Sequence, residues 1–289
     1  MELVSKRVLG YVNWRRNRAT SHTSEYLDTL VADLKREKPD HIAVTGDIVN
    51  LTLEAELQPA LDWLESLGAP EKVSVVPGNH DAYVPGARDR ALTLWQAFMA
   101  SDGVTLPGPR FPYHRRRDGV AIVGLSSARA SAPFMATGHF SASQARDLAD
   151  TLAHCGGEGL CRVVLIHHPP YREKNDWYRR LVGASHLRRA LREAGAELVL
   201  HGHTHRDQIA WLDGRDGPVP VVGVPSASNG PGRHRPAARY NLFEFERTGD
   251  GWRITQRERG LTAPGDPVCE ISCRVLEAPA ETLKGRARA

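Results

Sequence analysis

A chain of 289 residues with 41% hydrophobic and 25% charged residues can bury a large core in one α/β domain. Its formal net charge of +4 is mild, and arginines cluster only briefly at Arg15 to Arg18 and Arg115 to Arg117, so no continuous basic groove for nucleic acid is expected. Cys155, Cys161, Cys269 and Cys273 form no CxxC pair, no apolar run reaches the ~20 residues of a membrane-spanning helix, and the basic N-terminal stretch lacks the apolar core of a signal peptide; reduced thiols, no membrane span and a cytoplasmic location follow as expectations.

In chain order, Leu27, Leu30, Val31 and Leu34 repeat at helical spacing, and His41-Ile42-Ala43-Val44-Thr45 follows as a short strand ending in glycine and aspartate. The alternation continues with a helix over 53–67, a strand over 73–76, a helix over 88–100 and a strand over 120–125. Ser141 with Gln144 reads as a capping box opening another helix, which leads to a strand over 163–166, a helix over 187–193 and a strand over 197–200. After His205 come shorter β-rich segments over 208–212, 219–224, 240–245, 252–256 and 268–276, separated by glycine and proline and expected to be antiparallel. The order predicts an α/β sandwich, two mixed β-sheets flanked by helices, forming one domain over 1–276, with a solvated flexible tail over 277–289.

Four strand ends are each followed at once by residue types that ligate metals: Gly46-Asp47-Ile48-Val49-Asn50, Gly78-Asn79-His80-Asp81, His167-His168-Pro169-Pro170 and Gly202-His203-Thr204-His205. The carboxyl ends of parallel strands open onto one crevice, so these loops can meet although distant in sequence. Taken singly, each is a common turn; taken together, they read as a site. Carboxylate, amide oxygen and imidazole suit Mn²⁺, Fe²⁺ or Zn²⁺, and a carboxylate such as Asp47 can bridge two such ions. Paired metals neutralise an anionic phosphate and acidify the attacking water. A nearby imidazole can protonate the departing alkoxide, a role expected for His80 with Asp81 placed to orient it.

GDIVN, GNHD, HHPP and GHTH in this order resemble the calcineurin-like metallophosphoesterase superfamily, from about Val8 to the strands after His205. The resemblance implies a metallophosphatase-type sandwich and two divalent metal ions. It implies Asp47 as bridging ligand, Asn79, His167 and His203 on one metal, His205 on the other, and His80 near the leaving group. The implied activity is hydrolysis of a small phosphomonoester or phosphodiester by a metal-activated hydroxide.

The sequence departs from the family in one respect. Members open with a strand ending in Asp-x-His, and no such motif occurs here; in Val8-Leu9-Gly10-Tyr11-Val12-Asn13-Trp14 only Asn13 is a candidate ligand. The expectation is that the first strand precedes the sequence in hand rather than that the half-site has been shed, so one metal position is incomplete as written. The alternative is a catalytically impaired homologue that binds metal and phosphorylated ligands or partners. His168 is expected beside the metals or against substrate, His201 in a supporting role, and Tyr171, Trp177 and Tyr178 either as a substrate lid or as packing.

Overall fold

A computed structural model describes residues 24–104, 107–172, 176–231, 236–249 and 251–278. Asn13, the cluster from Arg15 to Arg18 and the tail past 278 lie outside the described residues. The elements run α1 (Ser24–Arg36), β1 (Ile42–Val44), α2 (Glu54–Leu67), β2 (Val73–Val75), α3 (Ala87–Leu94), β3 (Tyr113–Arg117), β4 (Val120–Gly124), β5 (Gly138–His139), α4 (Ala142–Gly157), β6 (Cys161–Ile166), β7 (Leu181–Val182), α5 (Ala184–Ala194), β8 (Leu198–His201), β9 (Gln208–Asp213), β10 (Pro218–Gly223), β11 (Arg239–Thr248), β12 (Gly251–Gly260) and β13 (Cys269–Val275).

The centre is a six-stranded mixed sheet in the order β3-β4-β6-β8-β10-β9. Strands β4, β6, β8 and β10 are parallel neighbours, with β3 and β9 antiparallel at the edges. Because side chains alternate across a strand, the apolar run of β6 splits between two cores. Val164 and Ile166 join Leu148, Leu152, Leu187 and Leu191 of α4 and α5 on one face. Val163 and Leu165 join Val73 and Val75 of β2, Leu57 and Leu64 of α2, and Ile254 of β12 on the other. Helix α1 packs Leu30 against Tyr240 of β11. No helix among the described residues is long and apolar enough to cross a membrane.

The layer facing the six-stranded sheet comes in two pieces, the parallel pair β1-β2 and the antiparallel β11-β12-β13. Among the described residues β1 pairs only with β2, and β11 only with β12. Between those two free edges lies a cavity of about 1250 Å³, lined by Ile42, Ala43 and Val44 on one side and by Asn241, Leu242 and Phe243 on the other. Ala43 is exposed although it sits mid-strand in an apolar run. Two sheets were expected, and among the described residues the second is made of these two pieces.

Local differences have local causes. The helix expected over 88–100 stops at Leu94 and continues as a 3-10 turn, Gln96–Met99, so that Trp95 and Phe98 enter the core. Ser141 Oγ accepts from Gln144 N at 3.1 Å as expected of a cap, but the Gln144 side chain makes both of its hydrogen bonds to the backbone of Ser126, so the reciprocal half of the box is diverted. The run from Arg115 to Arg117, read as a basic cluster, lies in edge strand β3. Arg115 points inward, is 3% exposed, and donates to the carbonyls of Val73, Ala97 and Ala100.

Candidate metal centre

The four loops singled out by sequence leave the carboxyl ends of β1, β2, β6 and β8, which run the same way within their parallel pairs. Asp47, His203 and His205 all adopt positive φ, at 59°, 66° and 56°. Aspartate and histidine tolerate this region better than most residues, yet three such positions in one site mark backbone held under strain by its surroundings. The first two loops touch backbone to backbone. A Cβ on Gly46 would lie 2.6 Å from the nitrogen of Gly78, and one on Gly78 would lie 2.1 Å from Oδ1 of Asp47. Glycine is therefore required at both positions.

Asp81 fixes this contact from beneath. Its fully buried carboxylate accepts from the backbone N–H groups of Gly78 (2.7 Å), Asp47 (2.9 Å), Ile48 (2.9 Å) and Val49 (3.2 Å), tying the second loop to the first. Burial, and then the Asp47 charge, push the Asp81 carboxyl above the usual carboxylate range. The orientation of His80 falls instead to a backbone carbonyl: Nδ1–H donates to Asn50 O at 2.6 Å, and the ring stacks on Tyr83 at 5.6 Å. The expected Asp81-to-His80 arrangement is thus replaced by one in which Asp81 serves the backbone.

His167 decides the character of the centre. Its Nδ1–H donates to the carbonyl of Thr45 at 2.7 Å, which aims Nε2 at Oδ1 of Asn79 (3.2 Å) and Oδ2 of Asp47 (3.3 Å). Three electron-pair donors then face one another, an arrangement that a positive species must hold together. Without a cation a proton serves: burial lowers the His167 imidazole, but the Asp47 charge outweighs it and raises the pKa. Burial would likewise raise Asp47, but the His167 and His80 imidazoles hold its carboxyl well below the usual range. A divalent cation fits the same donor set of carboxylate, amide oxygen and imidazole.

His203 lies beside His167, ring centroids 5.1 Å apart, and donates Nε2–H to Arg179 O at 3.0 Å, so Nδ1 is the ring nitrogen that could ligate a metal. His167, His168 and His203 form a buried cluster whose ligand atoms lie within 4.8 Å of one another. Burial holds His203 well below the ordinary histidine value and His168 down to about 3, so both stay neutral. His168 is already engaged at both nitrogens, by Ser127 Oγ at 2.7 Å and Ala136 O at 3.2 Å, which makes it a support of the centre. His80 and His205 line the cavity together with Asp47, His167 and His203. His201 is buried against Tyr171 Oη (3.1 Å) and Gly202 O (2.8 Å), so Tyr171 packs rather than covering the site.

Sequence reasoning passed over Ser127, which follows strand β4 as the ligand loops follow theirs, and the carbonyls of Thr45, Asn50 and Arg179. A fifth strand end carrying Ser126-Ser127 was the available signal for the first. Backbone carbonyls carry none.

A profile of the calcineurin-like phosphoesterase family matches residues 21–207, most of the chain and all four loops. The chain belongs to the calcineurin-like phosphoesterase family. Members of this metallophosphoesterase family use divalent metals, in keeping with the histidine cluster. The phosphoesterase chain is 25% identical over 227 residues, 78% of each sequence, to a probable cyclic nucleotide phosphodiesterase of Synechococcus sp.. Its fold is similar to that of a dimetal phosphatase from Danio rerio, with a TM-score of 0.57 at 16% identity over 86% of this chain and 88% of that one.

Proposed function

We propose that this phosphoesterase is a metal-dependent hydrolase of phosphate esters, with Asp47, Asn79, His167 and His203 holding one divalent cation and Asp47 shared with a second that His205 also binds. The observation that carries this reading is the approach of Asn79 Oδ1 and Asp47 Oδ2 to His167 Nε2, at 3.2 and 3.3 Å, with the other His167 nitrogen fixed by Thr45. Mn²⁺, Fe²⁺ or Zn²⁺ suits these donors, and when bound such ions would neutralise phosphate charge and acidify a water. His80, held through Nδ1–H by Asn50, presents Nε2 as the nitrogen that gives a proton to the leaving alkoxide. The resemblance to a probable cyclic nucleotide phosphodiesterase supports a nucleoside-bearing phosphodiester as substrate. A cytoplasmic location accords with the sequence reading.

A second reading is favoured by the edge of β1, which among the described residues pairs only with β2. The cavity there reaches from the exposed edge at Ala43 to Asp47, His80 and His205. A strand seated beside β1 would end at those residues, where the family's Asp-x-His would add a carboxylate and an imidazole to the His205 side. A protein lacking those two groups would bind one cation well and turn over poorly. Metal titration with turnover of bis(4-nitrophenyl) phosphate separates the two: two equivalents with turnover support the hydrolase, and one without turnover supports the impaired binder.

A further inference from the structure

Three large aromatic side chains stand exposed on the two loops whose backbone carbonyls hold His168 and His203. Phe134 is 84% exposed, Trp177 55% and Tyr178 38%. Phe134 also has φ 65°, in the left-handed region that a bulky aromatic residue rarely adopts, so the loop holds it there against its own preference. Both loops are tied to the centre and to each other. Ala136 O accepts from His168 Nε2, Arg179 O accepts from His203 Nε2, and Ala136 N donates to Tyr178 O at 2.9 Å. Parallel pairing of β5 with β7 continues this seam, with Gly138 N donating to Arg180 O at 3.2 Å. Phe134 and Trp177 each lie two residues from a carbonyl that accepts from a cluster histidine, so the backbone that carries them is anchored by the hydrogen bonds that orient those imidazoles.

From this we infer that Phe134 and Trp177 form an aromatic rim that stacks on the nucleobase of the substrate and selects base-bearing phosphate esters over base-free ones. The inference rests on the hydrolase reading for the phosphate position, and deepens it by naming the residues that recognise the base. Exposed flat rings beside an anion site are wasted on a small phosphate alone, whereas a nucleobase offers every ring a face to cover.

The test is calorimetric titration of the metal-loaded protein with AMP and with ribose 5-phosphate, which differ only by the base. The wild type is expected to bind AMP about tenfold more tightly. The ratio should fall to near one in a Phe134→Ser, Trp177→Ser double variant and be restored by Phe134→Tyr with Trp177→Phe. Equal affinities in the wild type, failure of AMP to bind at millimolar concentration, or a preference that survives the serine variant would overturn the rim. Turnover of bis(4-nitrophenyl) phosphate in the same preparation keeps the two readings apart. Hydrolysis without a base preference removes the rim alone, and a base preference without hydrolysis removes the hydrolase reading alone.

Discussion

Nε2 of His167 lies 3.3 Å from Oδ2 of Asp47, while Nδ1 of the same ring is fixed at 2.7 Å from the carbonyl of Thr45, two residues before that aspartate. One loop therefore both carries the proposed ligand Asp47 and sets the tautomer of His167. His167→Ala and Asp47→Asn should each remove metal and lower turnover about 10³-fold or more, because the lost group acts on the charge that develops in the reaction. Elemental analysis and steady-state rates of the purified variants check this. Full metal content in either would take that residue out of the ligand set.

Asp81 reaches the chemistry only through the backbone it holds. Asp81→Ala strands four N–H groups in a buried loop contact, and the expected loss is on the order of 3 kcal/mol of stability, with weaker metal binding besides. Urea unfolding of the metal-free protein reads the first part without the second. A loss below about 0.5 kcal/mol would show that the loops hold together by other means.

How far the sequence could lead is visible in these residues. The ligand types at four strand ends were legible because buried parallel strands read as short apolar runs and their following glycines punctuate them. What Asp81 does was not, since a carboxylate that accepts backbone N–H groups looks the same in sequence as one that orients a histidine. Strand β3 was hidden because Arg115 sits at an inward position where an apolar residue is expected, its charge offset by carbonyls from two other segments, at Val73 and at Ala97 and Ala100. That β1 pairs with β2 and β11 with β12 depends on which edges meet in space, and no local pattern states that.

His80 is held through Nδ1–H by Asn50 O at 2.6 Å and lines the cavity with Asp47, and it is the proposed donor of the leaving group's proton. His80→Ala should slow hydrolysis of an alkyl phosphodiester about 10²-fold or more and that of a nitrophenyl ester far less, since nitrophenolate departs without a proton, with metal content intact. Equal losses on both esters would contradict the general-acid role.

Asp33 is 4% exposed, accepts from Arg259 at 2.9 and 3.1 Å and from Tyr240 Oη at 2.7 Å, and so joins α1 to β11 and β12. Burial raises its pKa, but the Arg259 and Tyr240 hydrogen bonds outweigh this and hold it below the ordinary value. A depressed carboxylate pKa contributes stability that is fully present above the unfolded value of about 3.9 and is lost as pH falls through the folded one. Asp33→Asn should therefore cost about 2 kcal/mol at pH 7 and progressively less as the pH falls below about 4. Denaturant unfolding of both proteins across that range measures it, and a difference constant with pH would remove the charge from the explanation.

The most direct test of the central claim, that the four strand-end loops build a divalent metal site, is elemental analysis of the purified chain beside its His167→Ala variant, after equal exposure to Mn²⁺, Fe²⁺ and Zn²⁺ and desalting. At least one equivalent of transition metal in the wild type, lost in the variant, is the predicted result. Trace metal in both, or equal retention in both, would contradict the site.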